Sequence, residues 1–280
     1  HKATNALWMR TTAGTGWPVM AIMAKGGSGA TGNGDELVTM DEVLQCLEAV
    51  ENERRARDAD PRLMARVLSI KRFQQRRFEW TYRDLLVSRR FGSAARFFLD
   101  DLYGPQDFRQ RDRQFARMVP RIESVFPAVL DQTVLDLARL HALSERLDSA
   151  MARCMVNEVT DADGYLSAWM TVGGPQDRQQ QLDLVLAIGR SLERLTRHAW
   201  LVLGLKMMRG PARAAGMSDL QRFLEQGLAS FRAMDGATEF LAIVEEREQK
   251  MMKALFAGDG ICLNQVMAVS GWTGVEDAGD

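Results

Sequence analysis

Apolar residues recur at the spacing of an α-helix over most of this chain. Thr39 and Glu42 form a T-x-x-E capping box, which predicts a helix start. The apolar residues that follow share one helical face: Val43, Leu44, Leu47 and Val50. Pro61, directly after Asp60, stands at a first helical position, and no Gly or Pro interrupts the pattern until Gly92. The pattern therefore predicts one helix from Thr39 and a second, long helix from Pro61.

Further helices follow from the same periodicity and from the position of helix breakers. Gly104 and Pro105 end a short segment, and Gly210 and Pro211 end a long one. The predicted segments are Ala94–Tyr103, Asp107 toward Pro120, a long helix after Pro127, Pro175–Met208, Ser218–Met234 and Thr238–Phe256. Ser218 and Gln221 form a second capping box.

No segment alternates apolar and polar residues in the way of a strand, so the sequence predicts an all-α fold. Long helices with short connections favour a single bundle-like domain of antiparallel helices over residues 39–256. Residues 1–38 are rich in Gly and read as a flexible arm, and residues 257–280 read as a loosely attached tail. We therefore expect a chain from Met40 to Phe256 to fold as well as the full chain.

Charge is balanced overall but not locally. The net charge is −1, whereas the segment from Glu51 to Arg121 holds 18 Lys and Arg against 10 Asp and Glu. Aromatic residues such as Phe73 and Trp80 alternate with these arginines, a combination found where proteins bind nucleic acid. Helical spacing turns many of those aromatic residues toward the core, however. We therefore expect no nucleic-acid partner, or weak and mostly electrostatic binding.

The composition also bounds compartment and cofactors. Cys46, Cys154 and Cys262 are widely spaced and form neither a disulfide framework nor a zinc motif, which fits a reducing cytoplasm. The longest apolar run, Ala199–Leu205, is too short to cross a membrane. No nucleotide-binding or hydrolase motif is present, so the sequence indicates no cofactor and leaves catalysis undecided.

Two histidines raise the alternative of a metal site. His141 and Glu145 lie four residues apart and share one face of a long helix. The partner helix offers His198, but Arg194 lies four residues before it and would repel a metal ion. The sequence therefore favours two ordinary histidines and no metal.

A stronger signal comes from charged residues at core positions. Phe108, Arg111, Asp112 and Phe115 occupy one helical face, so an Arg and an Asp lie between two aromatic residues that should point inward. On the long helix, Arg77 and Asp84 take similar positions relative to Trp80. Buried charges persist only when they are paired and hydrogen-bonded. Partners should therefore lie nearby.

The sequence suggests which partners these are. Asp100 and Asp101 stand in the last turn of a short helix, where the helix dipole disfavours acids. We expect Arg111 to pair with one of them and Asp112 to pair with Arg77 or Arg83 on the long helix. The predicted charged cluster is thus Arg77, Arg83, Asp84, Asp100, Asp101, Arg111 and Asp112.

Three segments together resemble a known group of proteins. These are "FFLDDLYGPQDFRQRD", "RMVP" and "RGPARAAGMSDLQRFLEQGLASFRAM", which are similar to a family of uncharacterised bacterial all-helical proteins. The similarity extends over about Arg62 to Phe256. It implies an all-helical fold and a bacterial cytoplasm, and it brings no known activity, cofactor or catalytic residue.

Three hypotheses about function remain after this reading. The first is a non-enzymatic helical module that binds a protein partner or a second copy of itself, for which an exposed apolar stripe would be evidence. The second is a bundle that binds a small ligand or cofactor through the charged cluster, which requires a concave cavity lined by it. The third is a nucleic-acid-binding helical protein, which requires a continuous arginine surface.

Overall fold

The computed structural model describes residues 33–102, 108–122, 128–158 and 160–270, and these contain α-helices and no strand. The helices are α1 Asn33–Asp58, α2 Pro61–Thr81, α3 Arg83–Leu86, α4 Gly92–Phe97, α5 Arg109–Ile122, α6 Ala128–Cys154, α7 Ala162–Thr171, α8 Pro175–Thr196, α9 Ala199–Met207, α10 Arg209–Ala214, α11 Ser218–Ala233, α12 Thr238–Phe256 and α13 Ile261–Ser270. A π-helical turn, Phe98–Leu102, follows α4. The prediction of an all-α domain is confirmed.

Helix α6 lies at the centre of the bundle and packs against α1, α2 and α8. Its contacts with α8 run in opposite directions along the two helices, since Ser144 meets Gln181 and Arg146 meets Asp177. Helix α1 runs in the same direction as α6, since Glu42 meets Arg139 and Arg57 meets Glu145. A short turn at Ala59 and Asp60 then joins α1 to α2.

Two large apolar cores hold the helices together. One forms where α2, α6, α7, α12 and α13 meet and is centred on fully buried Ile70, Phe73 and Tyr165. The other forms where α4, α8, α11 and α12 meet. There Gly227 allows close approach, because a Cβ at this position would lie 2.9 Å from Cζ of Phe97. Polar side chains lie between these cores.

Several helix ends differ from the sequence prediction. The long helix from Pro61 ends at Thr81 and not near Gly92, because Tyr82 leaves the helical conformation with φ −112° and ψ 18°. The helix from Pro175 ends at Thr196 because His198 is extended, with φ −90° and ψ 97°. The predicted helix start at Thr39 lies inside α1, which begins at Asn33.

The prediction that residues 257–280 form a loosely attached tail is partly wrong. Leu263 and Val266 lie three positions apart on α13, and both are buried, with exposures of 0% and 2%. Leu263 belongs to the core around Phe73 and Tyr165. Residues 261–270 are therefore part of the domain, and their apolar stripe was overlooked because it follows the glycine-containing turn at residues 258–260. Most of the predicted flexible arm, residues 1–32, and the end of the chain, residues 271–280, lie outside the described residues.

No helix in the described part of the chain combines the length and the apolar character needed to cross a membrane.

Candidate functional site: a cavity with a charged wall

A cavity of about 220 Å³, which we call the central cavity, lies between the helices in the middle of the bundle. None of the residues that line it is exposed. Its wall is largely apolar and includes Phe78, Phe98, Leu182, Val185, Leu241 and Val244. For scale, an aliphatic cavity of about 150 Å³ holds benzene. The central cavity therefore has room for a small organic molecule of roughly ten non-hydrogen atoms.

Asp112 is the centre of one charged group in the wall. Its Oδ2 accepts from Nη2 of Arg54 at 2.5 Å and lies 3.0 Å from Nε2 of His141. Its Oδ1 lies 3.4 Å from Nε of Arg111. Burial would raise the pKa of Asp112, but these three neighbours outweigh it and hold the pKa well below its usual range. Asp112 is therefore a buried, ionised acceptor shared by α1, α5 and α6.

The partners of Asp112 correct the sequence prediction. Asp112 contacts Arg54 on α1 and not Arg77 or Arg83. The reason is the fold, because α1 packs directly on both α5 and α6 and delivers Arg54 from the other side. Arg83 is exposed, with its guanidinium 4.0 Å from the ring centre of Trp80.

Arg111 itself lies close to where it was predicted, but with different bonds. Its Nη1 donates to the main-chain oxygen of Asp101 at 2.6 Å, not to a carboxylate of that turn. Its guanidinium lies between two aromatic rings, 4.0 Å from the centre of Phe108 and 4.6 Å from that of Phe223. Asp100 is exposed. The aromatic rings and a main-chain carbonyl thus take the place of the predicted acid.

Glu145 is the centre of a second charged group. Its carboxylate accepts from Arg57 of α1 and from Lys71 of α2, and Arg57 also donates to Oγ of Ser149 at 2.6 Å. Burial would raise the pKa of Glu145, but the neighbouring cations, first Lys71 and then Arg57, outweigh it and lower the pKa to about 2. In contrast, burial raises the pKa of nearby Asp148.

Arg77 belongs to a third group, on α2 and α12. Its Nη1 donates to Oε1 of Glu248 at 2.9 Å, and the same oxygen accepts from the hydroxyl of Tyr82 at 2.7 Å. Arg77 is 5% exposed. Asp84 does not join this group, because it forms a two-bond ion pair with Arg247 at the surface, which lowers the pKa of Asp84 to about 2.

Arg178, at the start of α8, is a buried wall residue that the sequence did not suggest. It is 3% exposed and lies over the indole of Trp169, 3.7 Å from the ring centre. Nη1 donates to Oε1 of Gln181 at 3.0 Å, and Nη2 lies 3.2 Å from Sδ of Met151. The polar segment "PQDRQQQ" around it gives no hint of burial, since it reads as an exposed first turn. Only the tertiary structure identifies this residue.

The histidines of the alternative metal site lie in different surroundings. His141 joins the Asp112 group, and Glu145 binds the two cations described above. His198 is exposed just before α9, with its ring centre 6.1 Å from that of Trp200. Within the described ranges, no three His, Cys, Asp or Glu side chains are grouped so that they could hold a metal ion.

Comparison with known proteins identifies a family and nothing finer. A family model described as a domain of unknown function (DUF8198) matches residues 53–260, which is 208 of the 280 residues. The matched segment begins within α1 and ends just before α13, so it includes every charged residue of the wall named above. Neither the curated proteins nor the solved structures gave a match.

Proposed function

The chain belongs to the DUF8198 family, a domain of unknown function, and from the geometry of the central cavity we propose that it binds a small, partly apolar molecule there. The observation that carries this proposal is a cavity of about 220 Å³ whose wall combines apolar side chains with buried ion pairs. Ligand cavities in proteins typically combine a mostly apolar wall with a few placed polar groups. We also propose that the protein acts in a bacterial cytoplasm, as the resemblance implies.

The arrangement of the arginines argues against the nucleic-acid alternative. Arg54, Arg57, Arg77 and Arg178 are all buried. They point their charge at the interior, where a phosphate backbone has no access. Three of them, Arg54, Arg57 and Arg77, belong to the basic segment from Glu51 to Arg121, so part of its excess charge lies inside the bundle.

The partner-binding alternative rests on helix α9. Trp200, Leu203 and Met207 lie on one face there and are 44%, 59% and 51% exposed. An exposed stripe of this kind marks many interaction surfaces. The structure does not indicate what would cover this stripe. The proposed function is therefore based on the cavity and not on the stripe.

Binding of fluorobenzene, followed by ¹⁹F NMR, tests the proposal. We expect saturable binding to the full chain, and we expect Val185→Phe to abolish it because Val185 lines the cavity. Val87→Phe is the matched control, since Val87 is 82% exposed at the end of α3. Absence of saturable binding to the unmodified chain would overturn the proposal, as would equal binding by the two variants.

A further inference from the structure

Arg178 carries a buried charge on which the carboxylates of Asp148 and Asp177 act only from beyond ion-pair distance. Among the described residues it forms no ion pair, and its hydrogen-bonding neighbours are a neutral amide, Gln181, and the thioether of Met151. Its Nε has no hydrogen-bond partner there at all. A thioether sulfur is a weak acceptor. Because a buried charge is costly unless it is paired, this guanidinium is poorly compensated by the protein itself.

The other buried arginines are compensated. Arg54 binds Asp112 at 2.5 Å, Arg57 binds Glu145, and Arg77 binds Glu248 at 2.9 Å. Arg178 thus differs from them in lacking a carboxylate, although its burial is equal or greater.

The charges of the wall balance as a whole. Its lining includes four cations, Lys71, Arg77, Arg111 and Arg178, and four carboxylates, Asp112, Glu145, Asp148 and Glu248. Lys71, Arg77 and Arg111 each form an ion pair with one of these carboxylates. The deficit is therefore local to Arg178, where an anionic ligand would supply the missing partner.

The unpartnered polar atoms near Arg178 are donors. Nε1 of Trp169 and Nε of Arg77 lack an acceptor among the described residues, as does Nε of Arg178. All three residues line the central cavity. Tyr165, whose ring centre is 6.1 Å from that of Trp169, lies within electrostatic reach of both arginines. One end of the cavity is therefore rich in unpartnered donors, with the carboxylate of Asp148 within electrostatic reach.

We infer that the ligand carries a carboxylate, which Arg178 binds at the Trp169 end of the cavity while the apolar remainder lies along Phe98, Val185 and Leu241. This inference rests on the proposed function and narrows its ligand to small apolar carboxylates. A carboxylate is a planar acceptor that matches the donor fork of arginine. Its oxygen would replace the weak contact between Nη2 and the sulfur of Met151.

Calorimetric titration of the full chain with three molecules of nearly equal size tests the inference. These are hexanoate, hexan-1-ol and hexan-1-amine at pH 7. We expect hexanoate to bind at least tenfold more tightly than the alcohol, and the amine to bind most weakly. If the alcohol or the amine binds as tightly as hexanoate, the inference is overturned, while fluorobenzene binding still decides the proposed function on its own.

Variants of two arginines locate the carboxylate. Arg178→Met should reduce the affinity for hexanoate at least tenfold and leave that for hexan-1-ol unchanged. Arg96→Met is the matched control, because Arg96 is exposed on α4, and it should change neither affinity. If folded Arg178→Met lost affinity equally for hexanoate and hexan-1-ol, the assignment of Arg178 as the carboxylate-binding residue would be contradicted. Should this variant not fold, the comparison of hexanoate with the alcohol in the unmodified chain remains decisive.

Discussion

Nη2 of Arg54 lies 2.5 Å from Oδ2 of Asp112, a contact between side chains 58 positions apart that fastens α1 to α5. Both side chains are almost withdrawn from solvent, with exposures of 8% and 13%. Because each satisfies the charge of the other, the pair lets two polar helices meet beside the cavity. The stability of the domain should depend on it more than on any surface pair.

We predict that Arg54→Met lowers the free energy of unfolding by about 3 to 5 kcal/mol, since it leaves the buried carboxylate of Asp112 without its closest cation. Arg55→Met is the control on the same helix. Arg55 is exposed and bonds only to Asn52 among the contacts described, so its loss should cost under about 0.5 kcal/mol. Urea denaturation of the two variants measures both values, and similar small losses would contradict the prediction.

Arg111→Ala should be less harmful than Arg54→Met. After this change Asp112 keeps Arg54 and His141, so no carboxylate is stranded. What is lost is a hydrogen bond to the oxygen of Asp101, the 3.4 Å contact with Oδ1 of Asp112 and two ring contacts. We expect a loss of about 1 to 3 kcal/mol. The same denaturation experiment decides it, and a loss larger than that of Arg54→Met would show that Arg111 is the main partner of Asp112.

The sequence predicted the helical class and three charged residues of the wall, Arg77, Arg111 and Asp112, for good physical reasons. Helical periodicity is a local signal, and so is the position of Arg111 and Asp112 between Phe108 and Phe115. The residues that pair with Asp112 could not be identified in the same way. Arg54 comes from a segment, "ENERRARD", that reads as solvated, and only the packing of α1 on α6 turns it inward.

The lack of a local signal for long-range contacts also explains why the sequence did not reveal the partners of Glu145 beside His141, or the burial of Arg178. The sequence correctly placed His141 and Glu145 on one face of α6, but it could not show that Arg57 and Lys71 arrive there from α1 and α2. Arg178 gave no local signal because its burial depends on Trp169 of α7. Long-range contacts between charged side chains leave little trace in the spacing of residues along one helix.

Acid should weaken the domain through Glu145. Its pKa is lowered to about 2 in the folded protein, below its ordinary value of 4.5, so the folded state binds fewer protons than the unfolded state in this range. The stability that Glu145 contributes, about 3 kcal/mol, is therefore present above pH 4.5 and is lost as the pH falls toward 2. Asp148 opposes this in part, because its raised pKa favours the folded state in acid.

Urea denaturation at several pH values between 2.5 and 6 measures this effect. Glu145→Gln should reduce the dependence of stability on pH by about 1.4 kcal/mol per pH unit where the group titrates. Glu48→Gln, a change at an exposed position of α1, should leave the pH dependence intact. An unchanged pH profile in Glu145→Gln would mean that other acids govern acid unfolding.

The last helix provides a test of where the domain ends. The sequence suggested that a chain ending at Phe256 would be as stable as the full chain, but Leu263 of α13 is fully buried in the core around Phe73 and Tyr165. Replacing a buried leucine by alanine removes its contacts and leaves a cavity. Leu263→Ala should therefore cost about 2 to 5 kcal/mol.

Ile261, two positions earlier on α13, offers a matched aliphatic control because it is 67% exposed. Ile261→Ala should cost under about 0.5 kcal/mol, since little apolar surface leaves contact with the protein. Thermal or urea unfolding compares the two. A large difference means that α13 stabilises the domain and that removing residues beyond Phe256 weakens it, because the core residues that Leu263 covers would then face water. Equal small losses would instead restore the sequence-based boundary at Phe256.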